Sequence, residues 1–228
     1  MRSLSLMLLS GALLAGLIQP AQSQPATPSI YVVAYFEVAP ANSRKIAGLL
    51  HQFAAATRKE DGNAELTALH EIGRPGRFAI VEAWRDKAAF DAHGPAMKAL
   101  GDKLQPWFLA PFDPRQFTPL SIAPPPADTN LASAMWVLTH VDVFPAGKDD
   151  TAKMIPQLAE DSRKDPGAQR FDGVVQDGHP NHFHLIEAWS DRHAFEANAA
   201  TDHTKAFRAK LVPFEGALYD ERLYEVVK

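Results

Sequence analysis

Between Ile46 and Thr57 the positions Ile46, Leu49, Leu50, Phe53, Ala54 and Thr57 fall at i, i+3, i+4, i+7, i+8 and i+11. That spacing is one face of an amphipathic helix. The stripe returns at Thr151, Met154, Ile155, Leu158, Ala159 and Ser162. Asp61-Gly62 closes the first helix and Pro166-Gly167 the second. Ahead of the first stripe, Tyr31 to Val38 is rich in β-branched and aromatic residues and predicts a strand, with Pro40-Ala41-Asn42-Ser43 as the turn into the helix. After it come two strands around a Gly73-x-Pro75 turn, about Ala64 to Ile72 and Arg77 to Trp84. A second helical stretch starts at Asp86, broken near Gly94-Pro95 and resumed to about Leu104, and a last strand lies near Phe112 to Leu120.

The whole pattern occurs twice. F-A-I-V-E-A-W-R-D-K-A-A-F, Phe78 to Phe90, reappears 105 positions later as F-H-L-I-E-A-W-S-D-R-H-A-F, Phe183 to Phe195. Pro40-Ala41 maps to Pro145-Ala146, Arg58-Lys59 to Arg163-Lys164, Gly62 to Gly167 and Gly73-x-Pro75 to Gly178-x-Pro180 at the same offset. So long a period suits a duplicated domain rather than a solenoid. The first unit runs from about Ile30 to Leu120. Ser121 to Asn130, with Pro124-Pro125-Pro126, is a linker. The second unit runs from about Leu131 to Lys228, with two extra residues near Ala199 to Thr201. Each unit reads β-α-β-β-α-β, the ferredoxin-like α+β arrangement of an antiparallel sheet with two helices on one face. The other face of such a sheet needs a cover. Two units in one chain supply it by packing sheet to sheet, as an intramolecular dimeric α/β barrel. The pattern leaves further self-association of this pseudo-dimer open.

Composition narrows the partners. Of 228 residues, 46% are hydrophobic and 22% charged, with a formal charge of -4. No basic tract is present, so nucleic acid is not an expected partner. The absence of cysteine removes disulfides, thiolate catalysis and Cys-ligated metals together. Met1 to Ser23 has the layout of an export signal. Arg2 is followed by an apolar run from Leu4 to Ile18, then Pro20 and Ala21-Gln22-Ser23. The run is short of the roughly 20 residues a membrane span needs. Cleavage after Ser23 is expected, with a retained anchor as the alternative. Either way the protein lies outside the cytoplasm, periplasmic or secreted, with no membrane span in the mature chain.

The strings Thr57-Arg-Lys-Glu-Asp-Gly62 and Val81-Glu-Ala-Trp-Arg-Asp-Lys-Ala-Ala-Phe-Asp-Ala-His93 resemble those of the antibiotic biosynthesis monooxygenase (ABM) family, of the dimeric α/β-barrel superfamily. So do their second copies, Ser162 to Gly167 and Ile186 to Asn198. The resemblance covers both repeats. It implies a quinol- or anthrone-type monooxygenase working without metal or flavin, with a small aromatic substrate and O2 as partners. The family also holds haem-degrading members, an isomerase and members with no known reaction. Its haem-degrading members pair a strand asparagine with a tryptophan and a later histidine. Here the strand neighbourhoods are Ala34-Tyr35 and Thr139-His140, and His93 and Asn198 stand at the tryptophan position, a departure from that pattern. Family members usually lack an export signal, and this difference strengthens the alternative to the monooxygenase, an extracytoplasmic, non-catalytic binder of a small hydrophobic ligand.

Strand alternation puts Phe78, Ile80, Glu82 and Trp84 on one face, and Phe183, Leu185, Glu187 and Trp189 on its counterpart. A carboxylate among large apolar groups has a raised pKa and can act as a base near neutral pH. The plainer role for Glu82 and Glu187 is structural, paired with Arg58 and Arg163 or with a backbone amide. Trp84 and Trp189 match the family tryptophan that lines the pocket, an aromatic wall for a flat substrate. His93 ends the family string in the first unit, where the second has Asn198. The second unit has His203 instead, opposite Ala96. Either imidazole is a candidate base for a phenolic proton. His179-x-x-His182-x-His184 has metal-like spacing, but the first unit has Arg74, Arg77 and Ala79 there, and no metal is assigned.

Overall fold

The computed structural model describes residues 27–228, so the export segment expected over 1–23 lies outside the described residues. In chain order the first repeat comprises β1 (Ile30–Val38), α1 (Ser43–Thr57), β2 (Asn63–Glu71), β3 (Arg77–Trp84), α2 (Lys87–Leu104) and β4 (Phe108–Ser121). The second comprises β5 (Met135–Asp142), α3 (Lys148–Ser162), β6 (Ala168–Gln176), β7 (His179–Trp189), α4 (Arg192–Ala199), α5 (Asp202–Leu211) and β8 (Asp220–Val226). The strands close into one antiparallel barrel in the order β1-β3-β2-β8-β5-β7-β6-β4. The two sheets turn their helix-free faces toward each other, as the duplication implied. Their edges also pair, β2 with β8 through Leu69↔Val226 and β4 with β6 through Phe117↔Gln176. Barrel closure leaves no unpaired strand edge.

The two faces of each sheet have separate cores. Tyr31, Val33, Ala79, Val81 and Ala83 pack inside the barrel against Trp136, Leu138, Ile186 and Ala188. On the outside, Phe78 and Ile80 pack under α1 and α2 with Ile46, Leu50 and Leu100, and Phe183, Leu185 and Trp189 pack under α3 and α5 with Ile155, Leu158 and Phe207. Both helices that follow the E-A-W strings start on an aspartate cap. Asp86 accepts from Ala89 N–H at 2.8 Å and Asp191 from Ala194 N–H at 2.9 Å. Gly62 and Gly167 have φ of 77° and 83°, and a Cβ on either would stand 2.4 or 2.6 Å from the Cβ of Ala89 or Ala194. A side chain at either position is barred both by the left-handed backbone and by the helix start beside it.

The expected helix break falls in the other repeat. α2 runs unbroken through Gly94-Pro95, because the turn around Pro95 faces solvent and water can satisfy the carbonyl that proline leaves free. The second repeat breaks between α4 and α5 at the two extra residues, where Thr201 caps α5 by accepting from Thr204 N–H at 3.3 Å. No helix of the described residues is long and apolar enough to cross a membrane.

Candidate functional site

In the first repeat Glu82 is fully buried beneath the helices. Trp84 Nε1 donates to Glu82 Oε2 at 2.8 Å. His93, from the second turn of α2, is also fully buried, with its ring 4.6 Å from that of Trp84. Its Nδ1 lies 2.9 Å from Glu60 Oε2, and its Nε2 lies 3.7 Å from Glu82 Oε1, beyond hydrogen-bond reach. Burial alone would lower the His93 pKa, but the Glu82 and Glu60 carboxylates on either side outweigh it and raise the imidazole above its ordinary value. His93 thus stands between two carboxylates that favour its charged form, the buried Glu82 and the half-buried Glu60.

His93→Asn, the residue the second repeat uses, is expected to destabilise the protein by about 2 kcal/mol near pH 5.5, through loss of a charge-assisted contact. The loss should shrink toward pH 9. An imidazole with a raised folded pKa contributes fully below its unfolded value of 6.5, and the contribution fades as pH rises through the folded value. Thermal unfolding of both proteins from pH 5 to 9 reads this, and parallel curves would show that His93 is uncharged in the fold.

The second repeat keeps the Trp-Glu pair and loses the cation. Trp189 Nε1 donates to Glu187 Oε2 at 2.9 Å, and Thr139, standing where the first repeat has Ala34, donates to Oε1 at 3.4 Å. Asn198 occupies the His93 position but turns to Asp165 Oδ2 at 2.7 Å and Ser162 Oγ at 3.0 Å. His203 Nε2 also reaches Asp165, at 3.2 Å, and lies 3.1 Å from Thr201 Oγ1. Both repeats therefore bring an imidazole to the acid after the first helix, Glu60 or Asp165, from different points in the chain. Only His93 also faces the strand carboxylate. Glu187, 3% exposed, has no such neighbour, and burial pushes its pKa up to about 8; the nearby Glu221 adds to the rise, while the bonds from Trp189 and Thr139 oppose it. Burial, Glu187 and Glu221 also hold the Tyr219 phenol well above its ordinary value. Arg208 lies over the Tyr219 ring at 3.5 Å and reaches Glu221 at 3.5 Å.

Neither strand carboxylate pairs with an arginine. Arg58 donates to Leu66 C=O at 2.9 Å, and Arg163 donates to Ser121 C=O at 2.9 Å and lies 3.6 Å from Asp172. Phe78 stacks on Phe36 at 5.5 Å, and Phe183 is buried among apolar side chains. Trp84 and Trp189 are fully buried. Three cavities of about 800, 730 and 500 Å3 open elsewhere, and of the predicted site residues they involve only Phe78. The histidine run splits up: His184 points into the barrel, where Tyr35 O–H lies 2.8 Å from its Nε2, while His182 stays at the rim, 3.6 Å from Asp142. Glu60, Asp165, Thr139 and Tyr219 escaped the reading of the sequence. An acid in both copies at the Glu60 and Asp165 positions, and a threonine facing alanine at 139 and 34, are the signals the repeat held.

The family model for antibiotic biosynthesis monooxygenase matches the chain twice, over residues 29–98 and 135–210. The Bacillus subtilis protein named "Putative monooxygenase YcnE" is 28% identical over 64 residues, 28% of this chain and 67% of that protein. Several solved structures span both repeats. A "putative monooxygenase" of Fusobacterium nucleatum (FN1347) matches with a TM-score of 0.78 at 19% identity, covering 90% of this chain and 94% of that one. Another "putative monooxygenase", from Lactobacillus acidophilus NCFM, matches with a TM-score of 0.73 at 16% identity, covering 89% and 95%. These structures share the fold of the whole duplicated barrel. With the family model matching in each repeat and over more than half of its length, the chain belongs to the antibiotic biosynthesis monooxygenase (ABM) family.

Proposed function

We propose that this protein is an exported monooxygenase that oxidises a small, electron-rich phenol or hydroquinone-like compound with O2, without metal or flavin. Its working site is the second repeat, with Glu187 as the base. Family membership supports the monooxygenase role. The observation that carries the site is the Glu187 carboxyl, buried, free of a cation and pushed up to about 8. Such a group exchanges protons with a phenol near neutral pH far better than an ordinary carboxylate does. His93 is held between two carboxylates, and His203 is tied to a helix start. In the proposed reaction the Glu187 carboxylate takes the phenolic proton. A ring carbon that bears hydrogen, para to the phenolate oxygen in a phenol or ortho to it in a hydroquinone, then bonds to O2, which accepts two electrons and takes the proton back from Glu187 to become a hydroperoxide. Breaking the O–O bond, with loss of that carbon's hydrogen as a proton, releases water and leaves the quinone. Trp189 holds Glu187 in place and walls one side of the ring. Entry requires the segment 212–219, between α5 and β8, to part from the strands.

The test is oxygen uptake by metal-stripped protein with a panel of hydroquinones, phenols and anthrones. Glu187→Gln should lower kcat/KM by about 10²–10⁴-fold, the usual range for a lost general base, and Glu82→Gln by far less. Activity should rise with pH up to about 8 and then level, because the deprotonated carboxylate is the active form. Uptake no greater than autoxidation across the panel would sink the proposal. One observation favours a second reading, that of a binder of a small hydrophobic ligand. The cavity of about 800 Å3 at one barrel end has walls from Pro28, Leu66, Ala83, Ile122, Pro124 and Leu131. Absent uptake, together with a lipophilic molecule found by native mass spectrometry, would establish it.

A further inference from the structure

The barrel end opposite that cavity holds a set of groups that the proposed reaction does not use. Tyr35 and His140 are the same position in the two repeats, and their rings meet at 5.1 Å, so they lie on the approximate two-fold axis of the barrel. The His140 and His184 rings stand 4.6 Å apart, and His184, fully buried, receives Tyr35 at 2.8 Å. Arg115 and Arg222 are also equivalent positions, on β4 and β8. Both line a cavity of about 500 Å3 together with Tyr35, His140, Tyr224 and Phe112. That is room enough for a one-ring ligand, since small-molecule pockets span roughly 300–1,000 Å3.

The guanidinium groups are half used. Arg115 engages Asp113 through Nε at 2.9 Å and Nη2 at 2.8 Å, and Arg222 engages Asp220 through the same two nitrogens. Nη1 of each makes no hydrogen bond among the described residues. Asp113, Glu37 and Glu71 also border the cavity, against Arg77, Arg115 and Arg222. Arg115 and Arg222 nevertheless act on the two imidazoles beside it. Burial, then Arg222 and Arg115, lower His140 to about 4 against the opposing pull of Asp142 and Asp220. After burial and His140, the same two arginines lower His184. Both imidazoles are therefore neutral at pH 7, and a cation is disfavoured there.

We propose that this barrel mouth is a second binding site, for a small aromatic anion of the arenecarboxylate type. The Nη1 groups of Arg115 and Arg222 grip the acid group from opposite repeats, and the ring lies among Tyr35, His140 and Tyr224. Paired guanidinium donors suit a planar carboxylate. The site needs both repeats, since each supplies one arginine.

Calorimetric titration of the full chain with benzoate, and with benzyl alcohol as a neutral match in shape, tests this. Benzoate should bind saturably, and Arg115→Met or Arg222→Met should each weaken it by roughly tenfold or more, the weight of a charge-assisted hydrogen bond. In the unsubstituted protein, benzoate should shift the His140 ring resonances, a readout that needs no variant to fold. Glu187→Gln should leave benzoate binding unchanged, which separates this site from the proposed reaction. Equal binding of benzyl alcohol, binding indifferent to both arginines, or no saturable binding of benzoate would each overturn the proposal.

Discussion

Glu187→Gln is expected to stabilise the protein at pH 8 by about 2–4 kcal/mol while removing turnover. Glu187 is a buried carboxyl raised from 4.5 to about 8. Each pH unit between the unfolded and folded values is worth about 1.4 kcal/mol. The full shift sets an upper bound of about 5 kcal/mol, and local relaxation reduces it. The sign follows from proton release. Below the unfolded value both states hold the proton and Glu187 costs nothing. Between 4.5 and about 8 the unfolded chain has released its proton and the folded one has not, so stability falls as pH rises through that window. Above 8 the buried carboxylate carries the full penalty. Glutamine keeps an acceptor for the Trp189 indole and has no charge to bury. The variant should match the parent near pH 4, pull ahead steadily to pH 8, and melt several degrees higher there. Parallel melting temperatures across pH 4 to 9 would show that Glu187 is not a neutral buried acid. A site that destabilises its own fold at working pH is what function leaves behind when packing alone would choose otherwise.

The elements of this fold were legible because each has one periodicity. The stripe from Ile46 to Thr57 became α1, and Arg77 to Trp84 became β3 with Phe78, Ile80, Glu82 and Trp84 on one face. The barrel followed from the duplication, but which edges close it, β2 on β8 and β4 on β6, was not legible, since strand edges are read by backbone groups that every residue carries. The strand carboxylates were found from their apolar neighbours in sequence, and their difference was not. His93 against Asn198 is visible in the repeat, but its effect on Glu187 depends on which side chains fill the space between two helices and a sheet. Glu60 lies in the polar run Arg58-Lys59-Glu60-Asp61, which has the composition of an exposed helix end. Only the approach of α2 makes it the partner of a buried imidazole.

The other large effect expected is at Arg170, and it bears on why the two repeats share a chain. Arg170 is buried at the barrel end, where its Nη1 donates to both carboxylate oxygens of Glu65 at 2.7 and 2.6 Å and its Nε donates to Asp172 at 2.7 Å. Its guanidinium also lies 5.4 Å from the Trp136 ring centre. Glu65 and Arg170 occupy the same position of the two repeats, so they too meet across the two-fold axis. A symmetric pair of either repeat would set two acids or two guanidinium groups face to face there. Duplication allowed the position to split into opposite charges, and each repeat now requires the other. Arg170→Met should destabilise the protein by about 3–5 kcal/mol, because it leaves the buried Asp172 and the half-buried Glu65 without their cation. Asp172 retains Arg163 at 3.6 Å, which points to the lower end of that range. Replacing the whole group, as Arg170→Met with Glu65→Leu and Asp172→Leu, should recover most of the loss, since an apolar trio of similar size has no charge to desolvate. Urea unfolding at pH 7 measures both. A single variant within about 0.5 kcal/mol of the parent, the range of an ordinary surface change, would mean that water already screens this pair. A triple variant no better than the single would mean that the bridge holds the barrel end by its geometry rather than by its charge.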